Sequence, residues 1–258
     1  MYYLVDHPFY LFVVSLVLLL ASAWCAGWVG KRRAERLGHS KDPFSSIEGA
    51  TLGLLGLLLG FTFAMAVTRY DLRVQLVVDE ANLIERVWLR TDTLPAPLNQ
   101  QSRALLASYL HVRLEQRRAG LDPAAIDMAE TRADQLQAQL WEVAVKAAAL
   151  NRDVISNTYM SELNEMFDMQ TRRSEARGNR IPVEAWLLLI FIAIVSTSLA
   201  GYEIGAETLG ERGRRWMLNV LPLVLAVVLM LIADLDTPRS GLIRVDLHPL
   251  MELQKEIR

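Results

Sequence analysis

Nine polar residues beside the apolar stretches of this 258-residue chain have types and spacings that suit ion pairing or ion binding. Arg69, Arg73, Glu80 and Asn82 follow one apolar run, Asn164, Asp168 and Arg172 recur at intervals of four, and Asp234 and Asp236 close a later run. A guanidinium facing a carboxylate makes a bidentate, charge-assisted pair that suits partly buried sites. The first reading of the set is therefore structural: ion pairs that fix a helical bundle on its membrane base. The alternative is an ion-binding cluster, in which Asp234 and Asp236, two apart on a turn, supply hard oxygen ligands to a cation. Catalytic chemistry has no comparable candidate. The four histidines (His7, His39, His111, His248) lack ligand spacing, no Gly-rich phosphate loop follows a strand-like run, and no serine sits in a nucleophile elbow. No enzyme activity, metal or cofactor is expected.

A second set consists of small residues. Gly49, Gly53, Gly56, Gly60 and Ala64 fall on one narrow face of a helix otherwise rich in leucine. In water each such glycine costs about 1 kcal/mol relative to alanine. In lipid there is little hydrophobic drive between helices, and small residues let backbones approach closely. The stripe therefore reads as a helix–helix contact, within or between subunits, with lining of a pore as the alternative. Contact across a subunit interface is preferred.

The elements that must position both sets lie in and beside a membrane. The chain is 52% hydrophobic and 22% charged. Residues 8–30, 49–68, 185–202 and 216–233 contain no Asp, Glu, Lys or Arg at all, and each approaches the roughly 20 residues that cross the hydrocarbon core. Four spans are expected. The first reads as a retained span and not a signal peptide, because its apolar run is long and Lys31, Arg32 and Arg33 follow it instead of preceding it. Cys25, alone in that span, reads as a small packing hydrophobe. A net charge of −2 gives no nucleic-acid footprint.

Residues 70–181 read as helix throughout. The second span continues as one long helix toward Pro95, a further helix covers 98–119 and ends at Gly120, and Asp122-Pro123 opens the next. That helix carries Ile126, Ala129, Ala133, Leu136, Leu140, Val143, Ala147 and Leu150, a coiled-coil-like seam. Another, from about 153 to 177, carries Ile155, Tyr159, Leu163 and Met166 on one side, and Pro182 opens the third span. Asp92, near a helix C-terminus where the macrodipole disfavours it, calls for a basic partner or a capping role. After the fourth span, Leu242 to His248 alternate apolar and polar like a strand, and Pro249 opens a terminal helix. The expected fold is all-α: four spans with an extramembrane antiparallel bundle continuous with the second. The segments are 1–69 (two spans), 70–181 (bundle), 182–234 (two spans) and 235–258 (a tail packing on the bundle).

Orientation follows from lysine and arginine in the short loops. Lys31 to Lys41 carries five, and the loop joining spans three and four ends in Arg212, Arg214 and Arg215. Both are expected in the cytoplasm, which leaves the termini and the bundle on the periplasmic side of a bacterial inner membrane.

Several phrases together resemble the bacterial bestrophin-like domain family of membrane proteins. They are Gly53-Leu-Leu-Gly-Leu-Leu-Leu-Gly-Phe-Thr-Phe63, Arg69-Tyr-Asp71, Asp79-Glu-Ala-Asn82, Leu89-Arg-Thr-Asp-Thr-Leu-Pro95, Leu163-Asn-Glu-Met-Phe-Asp168, Arg180-Ile-Pro182 and Asp234-Leu-Asp-Thr-Pro-Arg-Ser-Gly-Leu-Ile-Arg-Val245. The resemblance covers nearly all of the chain after the first span. It implies kinship with bestrophins, pentameric anion channels with a gated central pore. The acidic cluster by which animal bestrophins bind calcium has no counterpart here, so calcium gating is not carried over. The implied function is an oligomeric ion channel or pore. The alternative is a non-conducting scaffold or sensor whose bundle binds a protein through its seam. The expected partners are the lipid bilayer and further copies of the chain, five by analogy.

Overall fold

The computed structural model describes residues 5–37, 44–118, 120, 122–150, 154–207, 211–237 and 241–257. Residues 38–41 of the basic loop, 238–240 of the turn after span four, and the side chain of Ile155 lie outside the described residues. The helices are α1 (Pro8–Leu37), α2 (Phe44–Arg90), α3 (Leu98–Arg118), α4 (Pro123–Leu150), α5 (Val154–Gly178), α6 (Val183–Ala206), α7 (Glu211–Asp236) and α8 (His248–Glu256). The chain divides into two compact units. One comprises Met1–Arg69, Arg180–Thr237 and Gly241–Ile243; the other comprises Tyr70–Asn179, Pro238–Ser240 and Arg244–Arg258. Each has its own chemistry.

In the first unit α1 packs on α6 and α7, which also touch each other. Glycines set the α1–α6 distance. A Cβ on Gly30 would fall on the carbonyl oxygen of Tyr202, one on Gly201 on that of Ala23, and one on Gly205 on that of Gly27. Such backbone-to-backbone approach is what small residues permit between helices in lipid. Polar links add to it. The Ser22 and Thr197 hydroxyls are 2.7 Å apart, and Trp24 Nε1 donates to Asn219 Oδ1 at 3.0 Å. The helix α7 runs on through Pro222 without a break. Outward-facing Phe9, Val17, Phe61, Phe191 and Trp216 are exposed, as a lipid-facing surface requires. Cys25 is also exposed, so it does not serve as the packing hydrophobe its composition suggests. Four helical stretches, containing α1, α2, α6 and α7, are long and apolar enough to cross a membrane.

In the second unit α3 packs on α4, α4 on α5, and α8 on α3. Their core includes Val77, Ile84, Val87, Leu106, Tyr109, Leu110, Leu140, Leu163 and Met166. Asp122 caps α4 by accepting from the Ala124 N–H at 3.0 Å, with Pro123 as the first helical residue. Of the α4 seam, Ala133, Leu140, Val143 and Ala147 are buried within this bundle, Ala129 and Leu136 pack against its core, and Leu150 is exposed. The second helix ends at Arg90 in a 3₁₀ turn, Thr91–Thr93, just before Pro95 as the sequence pattern expects. Asp92 there pairs with Arg103, whose Nε also donates to Thr91 Oγ1 at 3.0 Å. The alternating run 242–247 is not a strand: no strand is present among the described residues to pair with it, and a lone extended segment has no ladder to join. Val245, Leu250, Leu253 and Ile257 are buried in the second unit's core.

Candidate functional site

The glycine stripe is the first candidate, and the structure places it facing outward. Along α2 the residues buried within the first unit are Leu55, Leu59, Thr62 and Ala66, spaced four, three and four apart. Gly49, Gly53, Gly56, Gly60 and Ala64 occupy the other side and are all exposed. A Cβ added at any of the four glycines meets nothing within 4 Å. Contact within the chain is therefore not what these glycines make. That task falls to Gly27, Gly30, Gly201 and Gly205, which the sequence pattern hides because they are divided between two helices far apart in the chain. Of its apolar window α2 buries 17%, against 39% for α7. The glycine-rich span is the one least covered by its own chain.

The second candidate set divides into separate places. In the first unit Asp236 is fully buried. Its carboxylate accepts from the Ile181 N–H, 3.2 Å to each oxygen, and from Arg69 Nη1 at 3.5 Å. Asp234, 2% exposed, accepts from the N–H groups of Leu242 and Ile243, each at 2.8 Å. Gly241 makes that return possible. It has φ +111°, and a Cβ there would collide with the Asp234 carboxylate. Arg180 pairs with Asp6 at 2.6 Å. Both aspartates thus staple the ends of helices and loops of their own unit. Among the described residues no group of three or more His, Cys, Asp or Glu is placed to hold a metal ion.

In the second unit Arg73 and Glu80 line one cavity. Glu80, 1% exposed, receives Arg113 in a fork, Nε to Oε1 at 2.7 Å and Nη2 to Oε2 at 3.3 Å, and also Arg173 Nη1. Burial opposes the Arg113 charge, but the charge and hydrogen bond of Glu80, with Tyr109 and Glu130, together outweigh it and the guanidinium pKa rises. Beside this network the Tyr109 phenol is pushed up to about 12 by burial and, after it, by the Glu80 charge. Asn82, Asn164, Asp168 and Arg172 are not part of the cluster. All four are exposed. Arg173, not Arg172, is the inward residue of α5. The phase of Met166 and Met169, both buried and three residues apart, points to 173 as the next inward position, and Arg113 follows Tyr109 and Leu110 on α3 in the same way. Charge spacing alone could not separate neighbouring arginines; apolar phase could.

Four helical stretches long and apolar enough to cross a membrane, with the second helix continuing from the first unit into the second, define a multi-span helical membrane protein. The family model for the Bestrophin-like domain matches residues 16–250, and the chain belongs to this bestrophin-like family. No curated protein and no solved structure matches it.

Proposed function

We propose that the protein is one subunit of an oligomeric ion channel or pore of a bacterial inner membrane, assembled through the glycine face of α2. The observation that carries this reading is the open stripe: a Cβ on any of four glycines of the least-covered apolar helix would meet nothing within 4 Å among the described residues. A helix interior tolerates so many glycines in lipid where another backbone lies close, and copies of α2 around an axis supply that neighbour. Family membership supports the same assembly, with five copies by analogy to bestrophins. The orientation places the termini and the second unit in the periplasm. Its support within the first unit is that Lys31, Arg214 and Arg215, from two separate basic runs, converge with Trp24 and Trp28 on one cavity of about 240 Å³. Basic residues gathered at one end beside interfacial tryptophans fit a cytoplasmic face. The scaffold alternative relied on the α4 seam as a docking surface, and four residues of that seam, Ala133, Leu140, Val143 and Ala147, are buried inside the second unit.

Reconstitution of the purified protein in liposomes tests conduction. Flux of at least one ion across a range of salts, pH and calcium is expected, and its absence under all of them would refute the channel. Accessibility of cysteines introduced at positions 36 and 120 tests orientation. Position 120 should label from outside the inner membrane, and labelling of 36 from that side would reverse the assignment.

A further inference from the structure

The cavity of the second unit holds more positive charge than its own carboxylates balance. Five guanidiniums line it (Arg73, Arg113, Arg117, Arg173 and Arg177) together with Glu80. Arg113 and Arg173 both spend themselves on Glu80. Arg177 reaches Glu130 at 3.1 Å, an oxygen that already accepts from Gln116 at 2.8 Å. Two carboxylates thus serve three guanidiniums. Arg117 has no hydrogen bond or ion pair among the described residues. Burial first, and then repulsion from Arg113, draw its pKa down, more than the attraction of Glu80 holds it up. Uncompensated charge in a partly closed, low-dielectric place is costly, and a counter-charge there offsets that cost.

From this excess we infer that the cavity binds a tetrahedral oxyanion, sulfate or phosphate in character, with Arg117 as its principal free donor. Charge fits: with Arg73 left out of the balance, Arg113, Arg117, Arg173 and Arg177 less Glu80 and Glu130 leave two positive charges, and a dianion matches that excess better than chloride. Geometry fits as well. A guanidinium presents its N–H groups as a rigid planar fork that pairs two donors with two oxygens of such an ion. The space within the partly open cavity is about 50 Å³, several times the roughly 10–15 Å³ that one water needs. That is room for a single small oxyanion and not for a large organic ligand, although a phosphate ester could place only its phosphate group inside. The site belongs wholly to the second unit and does not depend on conduction.

Equilibrium dialysis of the full-length protein in detergent with radiolabelled inorganic phosphate tests the inference. One saturable site per chain is expected, competed by sulfate but not by chloride at matched ionic strength. Glycerol 3-phosphate in a parallel arm identifies the source: tighter binding than inorganic phosphate marks an esterified phosphate, and weaker binding marks the free ion. Arg117→Gln should weaken binding by about tenfold or more, as expected for loss of a charge-assisted hydrogen bond, while its melting temperature in chloride does not fall, since it removes repulsion. Arg86→Gln, at the exposed pair with Glu165, should leave binding unchanged. Absence of saturable phosphate binding by the unsubstituted protein overturns the inference. So does an Arg117→Gln variant that binds as tightly as the parent.

Discussion

Two sets of glycines occupy apolar helices of the same unit and do opposite things. Gly27, Gly30, Gly201 and Gly205 are filled sites: the facing backbone already occupies the volume a side chain would take, or presses against it. Gly49, Gly53, Gly56 and Gly60 are open sites, with nothing within 4 Å of where a side chain would begin. Residue type and helical spacing are the same in kind, so neither reveals which set holds the fold and which looks outward. What distinguishes them is the partner. The filled set pairs α1 with α6, a parallel couple separated by more than half the chain, and the open set finds no partner among the described residues of its own chain.

The largest effect should come from filling a filled site. Gly205→Val would drive two methyl groups into the Gly27 backbone, which has no rotamer by which to move aside. Overpacking of a well-packed core costs about 1–3 kcal/mol, and collision with a backbone lies at or beyond the top of that range. No monodisperse protein should be recovered in detergent. Recovery of folded Gly205→Val with an unchanged melting temperature would mean that α1 and α6 are not held at this distance.

The second unit sets a contrasting scale, because its interior is tightened by charge and not by glycine. Glu80→Gln keeps the shape but leaves Arg113 and Arg173 without their carboxylate, a change worth about 3–5 kcal/mol when a buried pair is broken. Thermal unfolding should shift strongly downward while the first unit's α1–α6 contact is untouched. A melting temperature within a degree or two of the parent's would show that Glu80 does not neutralise the two arginines.

Gly56→Leu sharpens the comparison at an open site. Fold stability of the isolated subunit should change by less than about 0.5 kcal/mol, as for substitutions away from contacts. Assembly should fail, because helices ~8–10 Å apart at a glycine contact cannot admit a leucine between them. Sizing in native detergent reads the outcome. An oligomer of unchanged size that no longer conducts would move the stripe from the interface to the pore wall.

Apolar length and phase made the fold legible in the sequence: four uncharged runs, the long second helix, the Asp122-Pro123 start of α4 and the buried residues of the α4 seam all follow from periodicity and caps. The strand-like alternation at 242–247 misled because period two is only half of a strand; the other half is a neighbour to pair with. The site was legible in part. Arg69 with Asp236, and Arg73 with Glu80, could be grouped because they sit at ends of helices already located. Arg173 was missed in favour of Arg172 because a run of two arginines offers no charge signal to separate them. Arg113, Arg117 and Arg177 were missed because their convergence depends on three helices packing together, which no local spacing encodes.

The smallest predicted effect separates the two glycine sets most cleanly. Gly27→Ala and Gly56→Ala add the same single carbon to apolar helices. At Gly27 the new Cβ would lie 3.1 Å from the Gly201 carbonyl oxygen and 3.2 Å from Leu218 Cδ2. The leucine can turn away, but the carbonyl cannot, so a loss of about 1 kcal/mol is expected, the low end of overpacking. At Gly56 no atom of the chain stands in the way. Alanine there removes backbone freedom from the unfolded chain and gains up to about 1 kcal/mol of helix propensity, so the isolated subunit should become slightly more stable. The oligomer should not share that gain, because a methyl at a backbone contact holds the helices apart. Melting of monomer and oligomer, measured on both variants, should therefore give one loss in both states for Gly27→Ala and opposite signs in the two states for Gly56→Ala. Equal stabilisation of monomer and oligomer by Gly56→Ala would mean that this face meets lipid and not another copy of the chain, and the interface would have to be sought elsewhere.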